Sequence, residues 1–542
     1  MSYSFNLIDN AWIPCVTVRN GPPRPMSLQD TLASASRIKE ISHPSPPVTV
    51  ALHRLLLAVL HRNFGPENEM RWKELWDSGN WDTEILRRYF GNWRERFDLF
   101  DVEFPFYQAR SLDVERHGVP ISKIVMELAQ GHNPTLFDHT TDESNFSLTP
   151  AEAACHLVAF QSFALGGLVT REKNEPPSAS AAPLSGAAVV LVRGEDLFQT
   201  LMLNLHQYDP KRGIPFGKGA DSPAWERDEE TRSEDRYPSG YLDYMTWQSR
   251  RMKLKPEEDE IGGIVVRRVV QMSGGQFREG FSRHSVETMM AFRRNLKADE
   301  SSDPWPCIRF TEGRALWRDS LALVQSVEEK QARPMILSWL DDLILSGHLL
   351  ASATIPLDLL GTATDRHKIL FWRHERLSVD PAYLHDADLL GTLRKALESA
   401  ERTGNALAHA LRNLAESIRA LRQTPRSPDA RKRREAREMS VRFTEWSYWP
   451  RLEIPFRRLL IDLPNDKRLI GEADWEYGTL ALLEWKKVVR MAGLETFREA
   501  IQGLGGSARS LKAIAEAEQG FLRNVALILR NQDRERKEVL HE

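Results

Sequence analysis

From Ala387 to Gln423 leucine and alanine recur at spacings of three and four residues, and no proline interrupts them. Such a run makes about ten turns of one amphipathic helix, whose apolar face has to be covered by other helices. Further helical runs at Tyr477–Ala492 and Ala508–Asn531 can supply that cover, so the last part of the chain is expected to form an antiparallel bundle with its own core. Before Pro381 the pattern is different, with short apolar runs broken by turn residues. The sequence therefore predicts an α+β protein: a large mixed α/β N-terminal domain over residues 1–378, then a C-terminal four-helix bundle over residues 381–542. A chain of 542 residues has room for roughly two to four domains, each with a core of its own.

Within the first domain, Phe5–Asp9 reads as a short strand that turns at Asn10 and reaches Trp12-Ile13-Pro14. Val50–Asn63 is almost continuously apolar, lies between Pro46-Pro47 and Gly65-Pro66, and reads as a buried helix. Glu103–Leu112 sets aromatics around a proline and is expected to be extended or turning. Gly131–Leu148 is mostly polar turn formers and reads as a long loop. Ala151–Leu165 returns to helical spacing and stops at Gly166-Gly167, and Glu172–Gly186 reads as a flexible connection. Val189–Val192 is strand-like, Arg193-Gly194 turns, and Asp196 opens a helix through Asn204. Asp209–Arg236, rich in both signs of charge, reads as a surface excursion.

Composition excludes several functional classes. No stretch approaches the ~18 apolar residues of a membrane span, and the opening MSYSFNLIDN lacks the order of a secretory signal. A cytoplasmic protein without membrane contact is expected. Cys15, Cys155 and Cys307 stand far apart, which supports neither a disulfide framework nor a cysteine zinc site. A net charge of -3 does not advertise nucleic-acid binding, so any such contact has to come from local patches.

No motif makes the chain an enzyme. Ser273-Gly274-Gly275-Gln276 matches a string that transporter ATPases use beside ATP, but no GxxxxGK[ST] phosphate loop accompanies it. Gly213–Gly219 has the wrong spacing and lacks the Ser/Thr. His385-Asp386 lacks companion metal ligands and reads as a helix start. HExxH and GxSxG are absent. No catalytic residue, cofactor or metal is expected. The densest basic run, Arg431-Lys432-Arg433-Arg434 with Arg437 and Arg442, reads equally as a solvated helix face salted by Glu435 and Glu438 or as a phosphate-contacting patch. Arg366-His367-Lys368 follows the turn-forming Gly361–Asp365 and precedes Ile369–Trp372, an order that reads as a charged tip on an apolar stem anchored in the core. Arg373, His374, Glu375 and Arg376 read as an ion-pair network rather than a ligand site.

Together these strings resemble the large subunit of type I-E Cascade, a CRISPR surveillance complex. The likeness rests on Phe5–Asp9 with Trp12-Ile13-Pro14, Phe104-Pro105-Phe106 with Gln108, Thr135–His139, Arg193-Gly194 with Asp196-Leu197 and Leu203-Asn204, and the DRHKILFWRHE string over Asp365–Glu375. It covers residues 5–378 intermittently, and the rest of the chain matches in helical character. The resemblance implies a non-catalytic subunit that checks a short protospacer-adjacent motif (PAM) on double-stranded target DNA. It also implies help in opening the duplex for the CRISPR guide RNA, other Cascade protein subunits as partners, and a separate helicase-nuclease that is recruited and cuts.

Carried over by residue, the family's DNA-sensing loop falls on Asn133, Thr135, Phe137, Asp138 and His139, with Phe137 as anchor, and its glycine loop on Gly166, Gly167 and Leu168. The basic finger falls on Arg293 or Arg294, and the wedge on Asp365, Arg366, His367 and Lys368. Two departures matter. The family's glutamine at the wedge tip is Arg366 here and the small residue after it is His367; arginine only donates hydrogen bonds, so the PAM preference does not carry over. The cysteine cluster of some members is also missing. The alternative readings are a nucleic-acid-processing enzyme and a protein-only adaptor.

Overall fold

The computed structural model describes residues 3–19, 21–128, 146–208, 221–297, 303–325, 331–350, 354–365, 368–420, 440–471, 475, 479–502 and 507–538. The chain forms two compact units. One comprises Met1–Thr311 and Ser326–Arg376, the other Glu312–Gln325 and Leu377–Glu542.

The first unit opens with a small antiparallel sheet in which β1 (Ile13–Thr17) lies between β2 (Arg24–Met26) and β3 (Ile38–Ile41). Helix α1 (Pro46–Phe64) follows and starts one turn earlier than its apolar run suggests. Pro46 and Pro47 occupy the first helical positions, where the missing N–H groups have no intrahelical partner to lose. Leu52, Leu56, Val59 and Leu60 are fully buried, each contributing about 1.5–3 kcal/mol of hydrophobic stabilisation. A short strand β4 (Val119–Pro120) precedes α2 (Pro150–Phe163), which packs on α1. The start of α2 is fixed by Thr149 and Glu152, each capping the other's backbone N–H.

After α2 the chain makes a two-stranded ribbon, β5 (Gly167–Leu168) against β6 (Ser178–Ala179). The segment expected to be a flexible connection is therefore pinned by backbone pairing. Strand β7 (Ala188–Val192) is buried throughout, and Asp196 caps α3 (Leu197–Asn204). Strands β8 (Arg250–Glu258) and β9 (Ile264–Ser273) form a long hairpin whose outer neighbour is β4. The Ser-Gly-Gly-Gln string ends this hairpin. A Cβ at Gly274 would lie 2.5 Å from the Gln248 carbonyl oxygen, so its glycine serves a close backbone approach. Two residues each form β10 (Phe292–Arg293) and β11 (Gln331–Ala332), paired antiparallel. The hairpin β12 (Ile355–Asp365) and β13 (Lys368–Val379) follows, with β12 in the middle of a three-stranded sheet between β13 and β7.

In the second unit four long helices pack together: α4 (Ala387–Ala420), α5 (Trp449–Ile470), α6 (Leu480–Ile501) and α7 (Ala508–Glu538). The mixed α/β region and the helical bundle are the fold class expected. Helix α5 has no counterpart in the sequence reading because Pro455 and Pro464 lie inside it. Leu452, Phe456, Leu459, Leu460 and Leu463 are buried along one face, and this burial outweighs the two lost backbone hydrogen bonds. The core is tied by side-chain donors on α4 carbonyls, Tyr448 to Ala400 at 3.0 Å and Trp485 Nε1 to Ala396 at 2.8 Å. His385-Asp386 starts α4 as read: Asp386 accepts from the Asp388 and Leu389 amides and from Lys467 at 2.6 Å.

Candidate functional site

The β12–β13 hairpin gets its rigidity from one arm. β12 is buried from Leu357 to Ala363, while β13 alternates between exposed and half-buried residues from Lys368 to Arg376 and buries only Leu377 and Val379 near its end. Gly361 permits the close fit of β12 on β7: it pairs with Ala188 at φ +156°, and a Cβ there would sit 2.1 Å from the Ala187 carbonyl oxygen.

The expected apolar anchor is therefore corrected. Leu370 and Trp372 are 49% and 42% exposed, and Ile369 and Phe371 are only half-buried. A strand with period two cannot bury four consecutive side chains on one face, so the anchoring passes to β12.

The hairpin's base is held by charge. Asp358 on β12 lies 3.2 Å from His374 Nε2, 3.3 Å from Arg376 and 3.5 Å from Arg193, while Glu40 receives Arg193 at 2.9 Å and Arg376 at 3.2 Å. Arg373 pairs with Glu375 at 3.2 Å. Residues 373–376 thus form the ion-pair network expected of them.

Beside the hairpin lies a cavity of about 290 Å³ that gathers separated segments of the sequence, Arg250 and Gln271 among its lining residues. The end of β13 nearest the tip contributes Ile369, Leu370 and Trp372; the β5 ribbon contributes Gly166, Gly167 and Leu168; Lys123, Met126 and Leu128 come from the stretch just before residue 129. Gly167 has φ +145°, a backbone state open to glycine. A Cβ on Gly166 would press on the Ala181 amide at 3.1 Å.

The described lining contains Lys123 and Arg250 and no carboxylate. Arg250 is 2% exposed and donates to the carbonyls of Ser180 and Ser249, both at 2.8 Å, and of Leu165. Burial lowers its pKa to about 10, which leaves it charged at neutral pH. A larger cavity of about 540 Å³ lies elsewhere in the same unit, lined by Tyr241, Phe292, Trp339 and the carboxylates Asp221, Glu287 and Asp342. Those carboxylates suit it poorly to a polyanion.

The residues predicted from sequence are thus partly brought together. Gly166, Gly167 and Leu168 line the cavity beside the hairpin. Asp365 closes β12 and Lys368 opens β13 at the hairpin end, whereas Arg366 and His367 lie outside the described residues. Asn133, Thr135, Phe137, Asp138 and His139 also lie outside them, as do Arg431–Arg434 and Arg437. Arg293 and Arg294 are exposed on and just after β10, and the adjoining Phe292 lines the larger cavity. Neither arginine is among the described residues lining the cavity at the hairpin. Arg250 and Lys123 were not singled out in the sequence, and Trp372 was read only as part of the apolar stem. The run Ile369–Trp372 is apolar without interruption, so no alternation in the sequence signalled its exposure.

The family model of CRISPR-associated protein Cse1 matches residues 6–496. The chain belongs to the CRISPR-associated Cse1 family. This is the large-subunit family of type I-E Cascade that the sequence resembles, and its members are generally non-catalytic. This chain is 32% identical over 527 residues to the CRISPR-associated protein CasA/Cse1 of Thermus thermophilus, a match covering 95% of this chain and 96% of that protein. The crystal structure of Thermus thermophilus CasA superposes with a TM-score of 0.78 at 29% identity over 97% of this chain and 100% of that one. Cse1 from Acidimicrobium ferrooxidans gives a TM-score of 0.78 at 24% identity, covering 98% and 99%, and so shares the fold. A chain of a CRISPR RNA-guided surveillance complex shares it too, with a TM-score of 0.73 at 20% identity over 96% and 99%.

Among the described residues no helix is long and apolar enough to cross a membrane.

Proposed function

We propose that this chain joins the other protein subunits of a Cascade complex and its CRISPR guide RNA, reads the PAM on double-stranded target DNA, and helps part the first base pairs. In this reading it helps recruit a separate helicase-nuclease and has no nuclease or ATPase activity of its own. The observation that carries the reading is the convergence of the glycine ribbon, the residues leading into 129–145 and the β12–β13 hairpin on one cavity with two cations and no carboxylate among its described lining residues. A backbone-lined ribbon beside a projecting hairpin suits the minor groove, whose donor and acceptor code is degenerate. A wedge there bears an unstacking cost of a few kcal/mol. Long-sequence reading is left to base pairing with the guide.

The test is Arg366→Ala in the assembled complex, with fully duplex and pre-melted targets at two salt concentrations. A wedge predicts a larger defect on the duplex. A phosphate contact alone predicts an equal loss on every sequence and a salt dependence flatter by about one unit of log-log slope. Equal defects on duplex and pre-melted targets would remove the strand-opening role. Magnesium-dependent cleavage that co-elutes with the purified chain would favour the enzyme reading instead.

A further inference from the structure

Strand β13 presents Lys368, Leu370, Trp372, His374 and Arg376 on its exposed side. Same-side neighbours on a strand are about 6.6 Å apart, so Trp372 sits roughly 13 Å from the Lys368 end of the hairpin. An isolated exposed apolar residue is ordinary, but here three cluster. Leu370 and Trp372 line the cavity from β13, and Leu168, 88% exposed, lines it from the β5 ribbon. His374 and Arg376 are engaged with Asp358 and Glu40. Lys368 stands at the hairpin end, and Lys123 and Arg250 are among the residues lining the cavity.

Arg250 is unusual among the buried arginines. Arg54 faces Glu287 at 2.9 Å, whereas the hydrogen bonds of Arg250 go to backbone carbonyls and no described carboxylate forms an ion pair with it. A buried guanidinium without a carboxylate partner, beside a cavity that mixes apolar side chains with polar groups, favours an occupant that is flat and apolar on its faces and attached to an anion. An unpaired nucleotide has that chemistry: a base to stack on an indole and a phosphate to neutralise.

We infer that Trp372, with Leu370 and Leu168 around it, is a stacking platform that holds a DNA base released next to the hairpin tip. The inference rests on the strand-opening reading above and adds a site to it: the tip parts the pair, and the platform keeps one of the freed bases from returning. Because stacking needs only a π-face, the platform is tolerant of sequence.

The experiment uses the complete complex with guide RNA and a matched duplex carrying iodouracil at single positions beside the PAM, in one strand or the other. Irradiation followed by mass spectrometry locates the crosslinked residue. The expected result is a crosslink at Trp372 from one strand only, which identifies the strand held. Trp372→Leu should lose that crosslink and slow opening of the matched duplex about tenfold, and Trp372→Phe should restore most of both.

If the wild-type complex opens the target and crosslinks to other residues of this chain, while Trp372→Leu opens as wild type, the stacking platform is overturned and the strand-opening reading stands. If the wild-type chain gives no crosslink and no dependence of opening on its presence, the strand-opening reading itself fails. Loss of assembly in Trp372→Leu, without any wild-type crosslink at Trp372, would make this face a protein-docking surface and overturn the inference.

Discussion

Gly361→Ala tests how the hairpin is held. Gly361 lies opposite Ala188 in the β7–β12 pair, and its new Cβ would sit 2.1 Å from the Ala187 carbonyl oxygen and 3.3 Å from the carbonyl carbon. Both are backbone atoms, so no rotamer change relieves the contact. The strands have to move apart by roughly 1 Å to reach a tolerable carbon–oxygen separation. That displacement weakens about two ladder hydrogen bonds at roughly 1 kcal/mol each, and the φ of +156° adds about 1–3 kcal/mol of strain for a residue with a Cβ.

A destabilisation of about 3–5 kcal/mol is expected. Hydrogen exchange read by mass spectrometry should show lost protection in Ala188–Val192 and Ile355–Asp365, together with a lower melting temperature. Gly391→Ala is the matched control. Gly391 lies inside α4 and a Cβ there meets nothing within 4 Å, so alanine should stabilise by about 0.5–1 kcal/mol. Unchanged protection in the two strands and a melting temperature within error of wild type would refute the packing argument.

Other consequences concern the buried charges and Phe137. Glu287→Gln removes the carboxylate that receives Arg54 at 2.9 Å and the Tyr244 hydroxyl at 2.9 Å; it should cost about 3–5 kcal/mol because it strands a buried guanidinium, and denaturant titration reads the loss. Burial lowers the pKa of His156 and of His206 to about 4, from an ordinary value of 6.5. The unfolded chain therefore takes up these protons first as pH falls below 6.5, and stability drops towards pH 4, by about 2 kcal/mol per histidine at pH 5. Melting at pH 7 and pH 5 should show the lower midpoint at pH 5, and a higher one would contradict the burial argument. Phe137→Ala should weaken association of the chain with the rest of the complex, as measured by co-purification, if the polar stretch around it docks through this single aromatic anchor.

Local signals in the sequence were sufficient where one pattern dominated. The apolar run of α1, the Asp196 cap of α3 and the long period of α4 all lie where they were read. Helix α5 escaped because Pro455 and Pro464 argue locally against a helix, and only the buried Leu452–Leu463 face overrides them. The ribbon of Gly167–Leu168 escaped for another reason: its pairing with Ser178–Ala179 is two residues long and leaves almost no period to detect.

The candidate site was partly legible because the residues at its rim belong to recognisable strings. Its floor was not. Arg250 sits in the alternating strand β8, and nothing local distinguishes it from Arg251, which pairs with Glu175 at 2.6 Å. Trp372 read as an anchor because apolar residues are usually inside, and the alternation of β13 turns it out.

The role proposed for this chain is to make a duplex target openable. The most direct measurement is R-loop formation by a complex reconstituted from guide RNA and the other subunits, with and without this chain, on a duplex and on the same target with the PAM-proximal pairs pre-melted. Omitting the chain should abolish opening of the duplex, adding it back should restore opening only when a PAM is present, and the pre-melted target should be much less affected. Equal opening of the duplex with and without the chain would contradict that role.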